Sequence, residues 1–381
     1  MNSPKREIIE RIHSEGPISF EMFMEMALYS PVHGYYMTDA ARIGRAGDFY
    51  TSPHLHEIFA AMLGRQMEEM WGLMGHPDVF QVVEMGAGAG HLAKDMLEYL
   101  KWAEGKTLGT DNKRDIFRRL VYTIVEPNPL RRADQQALLG DLCDAITWCP
   151  DINALKPFSG CFLSNELLDA FPVRRVEMDD ELMEIYVSLD GNDLVEVKVP
   201  CGGEAFEYVK DFALVFPKGY RTEVNLRIRD WIGKVSDKLM DGFVLTVDYG
   251  YPAWDYYSND RCRGTLLCYH QHQMNEEPFE HVGEQDITAH INFSSLRRWG
   301  EEVGLETIGF CSQGTYLVSL GLDEVITERY GSEPDPFDIA KIKGLILPQG
   351  MGESHKVMIQ YKGKGEPELR GFDLRNQVEK L

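Results

Sequence analysis

A glycine-rich run, Glu84-Met85-Gly86-Ala87-Gly88-Ala89-Gly90, carries the strongest chemical signal in the sequence. It ends a short β-branched segment, Gln81 to Met85, and precedes apolar residues at helical spacing from His91 onward. Glycines at such a strand–turn–helix junction let the backbone turn sharply and approach a ligand closely. His91 occupies the place where a dinucleotide fingerprint requires its last glycine, which argues against NAD or FAD.

Two carboxylates accompany this loop. Glu84 would repel a pyrophosphate but suits a ligand that carries an ammonium or a sulfonium group, and S-adenosylmethionine carries both. Glu126 ends a second predicted strand, Val121 to Val125, where a carboxylate can accept hydrogen bonds from both hydroxyls of a ribose. The alternatives are a glycine turn without a ligand and a plain surface acid. The loop and the acid together favour a nucleoside cofactor with a cationic tail.

A third set of polar residues, Asn165, Glu166 and Asp169, follows the fourth predicted strand. Glu166 and Asp169 are three residues apart, so one helical turn would place both carboxylates on the same side. Such a pair could clamp a guanidinium group with charge-assisted hydrogen bonds. The alternative is a helix N-terminus, because Asn165 is a good N-cap and acids suit the first turn. Residue chemistry leaves both interpretations open.

The composition of the chain limits which classes of function, partner and location are expected. The chain has 381 residues and a net charge of −22, a field that repels phosphate backbones, so nucleic acid is not the expected partner. Seven cysteines without a C-x-x-C pair predict reduced thiols and no metal site. The N-terminus has no signal-peptide apolar region, and no apolar run approaches the ~20 residues of a membrane span. A cytoplasmic protein without a membrane span is therefore expected.

Strand-like and helix-like segments alternate along most of the chain, which predicts an α/β fold with a doubly wound, mostly parallel sheet. We expect helices over residues 5–29 and 54–74 and over Thr222 to Leu239, with hairpin-like strands between residues 173 and 216. The predicted segments are an N-terminal helical segment at 1–76, a core at 77–362 with an insert at about 173–216, and a polar surface tail at 363–381.

Longer segments resemble the MidA-type methyltransferases over about residues 8–362. The segments that carry the resemblance, in family order, are LYSPVHGYYM, GDFYTSP, EMGAGAG, VEPNP, NELLDAFPV, VDYGY, GTLLCYHQH, GEQDITAHINF and MGESHKVMI. This family includes the mitochondrial arginine methyltransferase that acts in respiratory complex I assembly. The resemblance implies a Rossmann-like class I fold dependent on S-adenosyl-L-methionine, with an additional helical layer and inserts. It also implies methylation of arginine in a protein acceptor of the complex I subunit type.

The resemblance also implies residue roles. The segment GDFYTSP would act as a lid over the cofactor. The implied cofactor-binding residues are Gly47, Phe49, Thr51, Glu84, Gly86, Ala87, Gly88, Glu126, Pro127 and Asn165, and the implied catalytic residues are Glu166, Asp169 and Asp48. His54 and Asn292 stand where the family pattern has acids. These departures keep two other readings open: a methyltransferase of a small molecule or another protein, and a non-catalytic assembly or binding protein with the same fold.

Overall fold

The computed structural model describes residues 3–38, 52–108, 112–113, 115–212, 214–331 and 335–381. The helices are α1 Pro4–Glu15, α2 Phe20–Tyr29, α3 Ser52–Leu55, α4 Ile58–Leu73, α5 His91–Ala103, α6 Pro129–Leu139, α7 Gly203–Asp211, α8 Arg227–Lys238, α9 Ala253–Tyr256, α10 Phe293–Glu302, α11 Gln313–Ser319, α12 Leu322–Tyr330, α13 Pro336–Ile346 and α14 Met351–Ser354. The strands are β1 Ile18–Ser19, β2 Phe80–Met85, β3 Thr107–Leu108, β4 Asn112–Lys113, β5 Leu120–Val125, β6 Ile146–Cys149, β7 Phe158–Asn165, β8 Arg174–Met178, β9 Leu182–Asp190, β10 Asp193–Pro200, β11 Arg221–Val224, β12 Leu239–Tyr251, β13 Leu267–His270, β14 Gln273–Asn275, β15 Asp286–Thr288, β16 Ile291–Asn292, β17 Glu306–Ser312 and β18 His355–Lys362.

The chain divides into two compact units, each built from three separate stretches of sequence. Unit 1 contains Met1–Tyr50, Leu168–Asp230 and Tyr251–Asn292. Unit 2 contains Thr51–Leu167, Trp231–Gly250 and Phe293–Leu381.

The main sheet of unit 2 has the strand order β17-β18-β12-β7-β2-β5-β6. The strands from β12 to β6 pair in parallel, whereas β18 pairs antiparallel with both β12 and β17. The order reverses at β2, which has β5 on one side and β7 on the other, and open α/β sheets bind ligands at such a reversal. This mostly parallel sheet confirms the predicted fold class.

The central strands of unit 2 are largely buried and mostly apolar, as expected for a parallel sheet that has helices on both faces. Val82 and Val83 point to opposite faces of β2, and both are fully buried. Helix α5 buries one apolar stripe in the same core, and α4 adds its methionines as packing residues. The carboxyl ends of these strands are thus supported by a well-packed core.

Unit 1 is mainly antiparallel. Its larger sheet has the order β1-β9-β8-β11, with β10 also paired to β9, and a smaller sheet has the order β14-β13-β15. The segments predicted as hairpins form β8, β9 and β10. Helices α1 and α2 bury Ile8, Phe23 and Leu28 in a core that also contains Val187 and Ile287. The N-terminal helices therefore pack on strands of the insert within this unit.

Two helix predictions were wrong in extent. The helix expected over residues 5–29 is interrupted, because Gly16 adopts a φ of 86° beyond α1 and Pro17 follows it. The helix expected over Thr222 to Leu239 begins only at Arg227, because β11 pairs with β8 and that pairing overrides the local helical pattern.

The prediction of a polar surface tail after residue 362 was wrong for two apolar side chains. Leu369 and Phe372 are buried in the core of unit 2, and the Phe372 ring lies 5.4 Å from that of Tyr316. Backbone bonds hold this segment as well, since the N–H of Gln377 donates to the carbonyl of Phe310 at 2.7 Å. Two apolar residues in a polar stretch are a weak sequence signal, which explains the error.

The strand contacts in unit 2 require glycine at residue 242. A Cβ at Gly242 would lie 1.9 Å from the carbonyl oxygen of Gly160, and the φ of Gly242 is 131°. Gly242→Ala should therefore lower the free energy of unfolding by about 3 kcal/mol or more. Gly233→Ala is the matched control, because a Cβ there meets nothing within 4 Å and should add up to about 1 kcal/mol in α8. Urea denaturation measures both, and equal stability of the two variants would contradict the account.

Candidate active site

Three neighbouring strands of the main sheet, β5, β2 and β7, end within one residue of one another, whereas β12 continues to Tyr251 beside them. Met85 of β2 is in register with Val125 of β5 and with Ser164 of β7, and Asn165 of β7 is in register with Val247 of β12. The residues after these strand ends are therefore neighbours along one edge. In spatial order they are Glu126, Gly86 and Glu166, and Asp248, which lies within β12, is the next neighbour in the row.

The loop after β2 is built on left-handed backbone conformations. Gly86, Gly88 and Gly90 have φ values of 82°, 54° and 94°, which side-chain-bearing residues rarely adopt. A Cβ at Gly86 would lie 3.0 Å from Cδ1 of Leu167, so glycine also lets the turn after β7 pack against this loop. Ala87 is buried between the first two glycines. The loop therefore presents backbone, not side chains, at the reversal point of the sheet.

Gln135 of α6 connects this loop to Glu126. Its side-chain nitrogen donates to the carbonyl of Gly88 at 2.9 Å and to Oε2 of Glu126 at 3.1 Å, and its oxygen accepts from the Trp148 indole at 3.0 Å. Oε1 of Glu126 accepts from the backbone N–H of Asn128 at 2.9 Å. Burial raises the pKa of Glu126, and the bonds from Asn128 and Gln135 oppose that rise. Gln135 thus fixes the loop and the acid relative to each other.

Glu84 has a partner inside the sheet. Its Oε2 accepts a hydrogen bond of 2.7 Å from the hydroxyl of Tyr122, and the Glu84 side chain is buried. Burial raises the pKa of Glu84 to about 7, and the bond from Tyr122 partly opposes the rise. The predicted contact between Glu84 and a cofactor stays a prediction.

Asn165 and Glu166 follow one another at the end of β7. The Asn165 side-chain nitrogen donates to Oε1 of Glu166 at 3.2 Å, and the backbone N–H of Ser52 donates to the same oxygen at 3.1 Å. The Asn165 Oδ1 is buried and accepts no hydrogen bond from the described residues. A buried amide oxygen without a partner is costly, which marks it as an acceptor for a ligand group.

Glu166 lies in a left-handed backbone conformation with a φ of 48°, which costs about 1–3 kcal/mol in a residue other than glycine. Two hydrogen bonds to β12 hold this turn of the backbone in place. Its N–H donates to the carbonyl of Val247 at 2.8 Å, and the N–H of Leu167 donates to Oδ2 of Asp248 at 3.2 Å. Strain held in place by its surroundings is typical of functional sites.

The helical turn predicted from Glu166 to Asp169 was wrong, because no helix forms after β7. The left-handed Glu166 turns the chain away from helical geometry, and Asp169 belongs to unit 1.

Two tyrosines of unit 1 lie close to acidic side chains. Tyr36 donates to Oδ1 of Asp286 at 2.7 Å and stacks on Tyr29 with ring centroids 5.4 Å apart. Burial and then the charges of Asp286 and Asp169 raise the pKa of Tyr29.

The two departures from the family pattern are both engaged with other side chains. The His54 ring packs edge-on against His91 at 4.7 Å in unit 2, and burial lowers the pKa of His54 to about 4. The Asn292 amide donates to the hydroxyls of Tyr208 at 2.9 Å and Tyr257 at 3.3 Å within unit 1. A neutral ring and a neutral amide thus replace two acids.

Four of the predicted residues, Gly47, Asp48, Phe49 and Thr51, lie outside the described residues. Pro127 is exposed beside the buried Glu126.

Within the described part of the chain, no group of three or more His, Cys, Asp or Glu side chains could hold a metal ion. No helix among these same residues has the length and apolar character to cross a membrane.

The sequence patterns did not predict Ser52 and Gln135 as site residues, whereas they did place Asp248 at the ligand edge. Ser52 belongs to the GDFYTSP segment, but its role depends on a backbone N–H that any residue except proline has. Gln135 reads as an ordinary helical residue, and only its complete burial distinguishes it. Asp248 had a usable signal, because it ends a predicted strand at the ligand edge.

Residues 62–311 match the family model described as "Putative S-adenosyl-L-methionine-dependent methyltransferase". Among solved structures, a COG1565 superfamily member from Burkholderia thailandensis bound to S-adenosyl-homocysteine is 30% identical, with a TM-score of 0.89. That match covers 99% of this chain and 96% of the other.

Named relatives of the chain include the protein arginine methyltransferase NDUFAF7, mitochondrial, from two mammals. The Rattus norvegicus protein is 26% identical, and the match covers 91% of this chain and 82% of the relative. The Homo sapiens protein is 28% identical, with 84% and 73% covered.

Gln135→Leu should weaken binding of S-adenosyl-homocysteine at least about 10-fold, because the variant loses both bonds that orient Gly88 and Glu126 and leaves a buried carboxylate short of a donor. Isothermal titration calorimetry measures the dissociation constant. Gln136→Leu is the matched control, since the Gln136 side chain is exposed on the same helix. Equal affinities for the two variants would contradict the bridging role.

The raised pKa of Glu84 predicts a pH dependence of stability. The folded protein binds this proton more tightly than the unfolded chain, whose pKa is near the ordinary value of 4.5, so stability falls as the pH rises from there to about 7. At about 1.4 kcal/mol per pKa unit, the loss is at most about 3–4 kcal/mol. Glu84→Gln keeps an acceptor for Tyr122 and should remove this loss. Urea denaturation near pH 5 and near pH 8 tests it, and parallel pH profiles of wild type and variant would contradict the assignment.

Proposed function

Because the chain belongs to the family of S-adenosyl-L-methionine-dependent methyltransferases, we propose that it transfers the methyl group to an arginine side chain of a protein acceptor. The cofactor of the family is S-adenosyl-L-methionine. The observation that carries the proposal is the placement of Glu166, a carboxylate in a strained conformation next to the glycine loop on the ligand edge of the sheet.

The residues of this edge fit the cofactor. The left-handed glycines expose backbone groups, and the Oδ1 of Asn165, which accepts no hydrogen bond from the described residues, offers an acceptor for a cationic or hydroxyl group. Glu126 would accept the ribose hydroxyls, because each of its oxygens accepts one hydrogen bond from the described residues and keeps a lone pair. We assign Gly86, Ala87 and Gly88 to the loop that closes on the cofactor.

When bound, the cofactor supplies an electrophilic methyl group on a sulfonium. Transfer to a guanidinium nitrogen would form a carbon–nitrogen bond as the sulfur–methyl bond breaks, the thioether S-adenosyl-homocysteine would leave, and the nitrogen must lose a proton. Glu166 would accept the proton at Oε2, because Oε1 already accepts from Ser52 and Asn165. Orientation of the acceptor then provides most of the rate, as expected for a displacement that needs no covalent enzyme intermediate.

The acceptor class rests on three supports. The named relatives are protein arginine methyltransferases, the charge of −22 favours a cationic acceptor segment, and the family resemblance implies a respiratory complex I subunit. The catalytic roles of Asp169 and Asp48 stay predictions, as does a cytoplasmic location.

A second candidate function has support from two side chains. His54 is neutral near pH 7 because of its lowered pKa, and Asn292 binds two tyrosine hydroxyls, so neither supplies the negative charge that a guanidinium would favour. A methyltransferase that acts on a small molecule or on a different protein group would fit these residues.

The test is label transfer from methyl-tritiated S-adenosylmethionine to proteins extracted from a strain that lacks this gene. Wild-type protein should produce methylarginine in acid hydrolysates. Glu166→Gln should lower the transfer rate at least about 100-fold through loss of the proton acceptor, with binding of S-adenosyl-homocysteine within about 3-fold of wild type. Glu353→Gln is the control, because Glu353 is an exposed acid in the same unit. Label in another residue would favour the second candidate, and no label would contradict protein methylation.

A further inference from the structure

His355 begins β18 and faces Glu166 within unit 2. Its Nε2 atom lies 3.7 Å from Oε1 of Glu166, and the Tyr249 ring packs against the imidazole at 5.5 Å. The residue is 7% exposed, and Nε2 is buried without a hydrogen bond to any described residue. A buried ring nitrogen that points at a carboxylate without reaching it requires an explanation.

The other ring nitrogen indicates the tautomer. Nδ1 of His355 lies 3.1 Å from the hydroxyl oxygen of Ser354. If this hydroxyl donates to Nδ1, the proton of a neutral imidazole is on Nε2 and points toward Glu166. The opposite tautomer would set the lone pair of Nε2 against a carboxylate oxygen, which is repulsive. The Nε2–H tautomer is therefore favoured.

We propose that His355 is a positioning residue for Glu166: its Nε2–H donates to Oε1 and turns Oε2 toward the acceptor. This inference rests on the proposed role of Glu166. The distance of 3.7 Å must shorten to about 3.0 Å for a hydrogen bond, and catalytic hydrogen bonds often tighten only in the loaded enzyme. A buried N–H without an acceptor is destabilising, so the shift has a driving force.

Three donors then converge on one oxygen of Glu166. Oε1 would accept from the N–H of Ser52, the amide of Asn165 and the imidazole of His355. None of the described residues donates a hydrogen bond to Oε2. This asymmetry fixes which oxygen meets the acceptor nitrogen, and a misplaced oxygen costs rate more than cofactor affinity.

The kinetic test uses the same label-transfer assay at saturating cofactor. His355→Phe should lower the initial rate about 10- to 100-fold, with the apparent KM for S-adenosylmethionine unchanged. His355→Gln carries an N–H near the Nε2 position and should stay within about 3-fold of wild type, whereas His355→Asn reaches only the Nδ1 position and should behave like His355→Phe. Equal rates for the Gln and Asn variants would overturn the inference.

A double variant separates action through Glu166 from independent action. If His355 works only by orienting Glu166, His355→Phe should slow the Glu166→Gln protein by no more than about 2-fold. A second 10-fold loss would overturn the inference. Wild-type rates in Glu166→Gln alone would instead overturn the proposed function of Glu166.

A spectroscopic test needs no acceptor and no activity. Nitrogen-15 NMR of histidine-labelled protein, with His355→Gln to assign the signals, should show a proton on Nε2 and none on Nδ1 in the complex with S-adenosyl-homocysteine. Glu166→Gln should shift the Nε2 signal. A proton on Nδ1, or an Nε2 signal that Glu166→Gln does not move, would overturn the inference even if the chain methylates proteins.

Discussion

The nearly level ends of the parallel strands β5, β2 and β7, with β12 paired beside them, are the constraint on which the rest of the site depends. Parallel pairing sends every strand toward the same edge, so residues far apart in sequence become neighbours there. The register aligns Met85 with Val125 and with Ser164, and it brings Glu126, the glycine loop and Glu166 into one row. A shift of one residue in any of these strands would turn its last side chain to the other face.

Side chains that never need to touch a ligand hold that row in place. Gln135 links the glycine loop to Glu126, and Asp248 holds the turn after Glu166. The Leu167 side chain packs so closely on Gly86 that a Cβ there would crowd it, and this contact joins the glycine loop to the turn after β7. The buried hydrogen bonds within unit 2 thus preorganise the polar groups before any cofactor arrives, which is how positioning contributes to rate.

Regular patterns in the sequence predicted the fold well, but they could not predict individual side-chain contacts. The glycine loop, the acid after β5 and the alternation of strands and helices follow local rules, so the parallel sheet could be predicted. The helical turn expected from Glu166 to Asp169 failed, because bonds from distant Val247 and Asp248 hold Glu166 in a left-handed conformation. Gln135 likewise depends on burial that only the assembled sheet creates.

The central claim is that the edge formed by Glu126 and the glycine loop binds S-adenosyl-L-methionine. Isothermal titration calorimetry with S-adenosyl-homocysteine tests it on wild type, on Glu126→Ala and on Asp134→Ala, an exposed acid of α6 that serves as the control. We predict micromolar binding for wild type and control and at least about 10-fold weaker binding for Glu126→Ala. Equal affinity in all three proteins would contradict the assignment of Glu126, and no binding by folded wild-type protein would contradict the account as a whole.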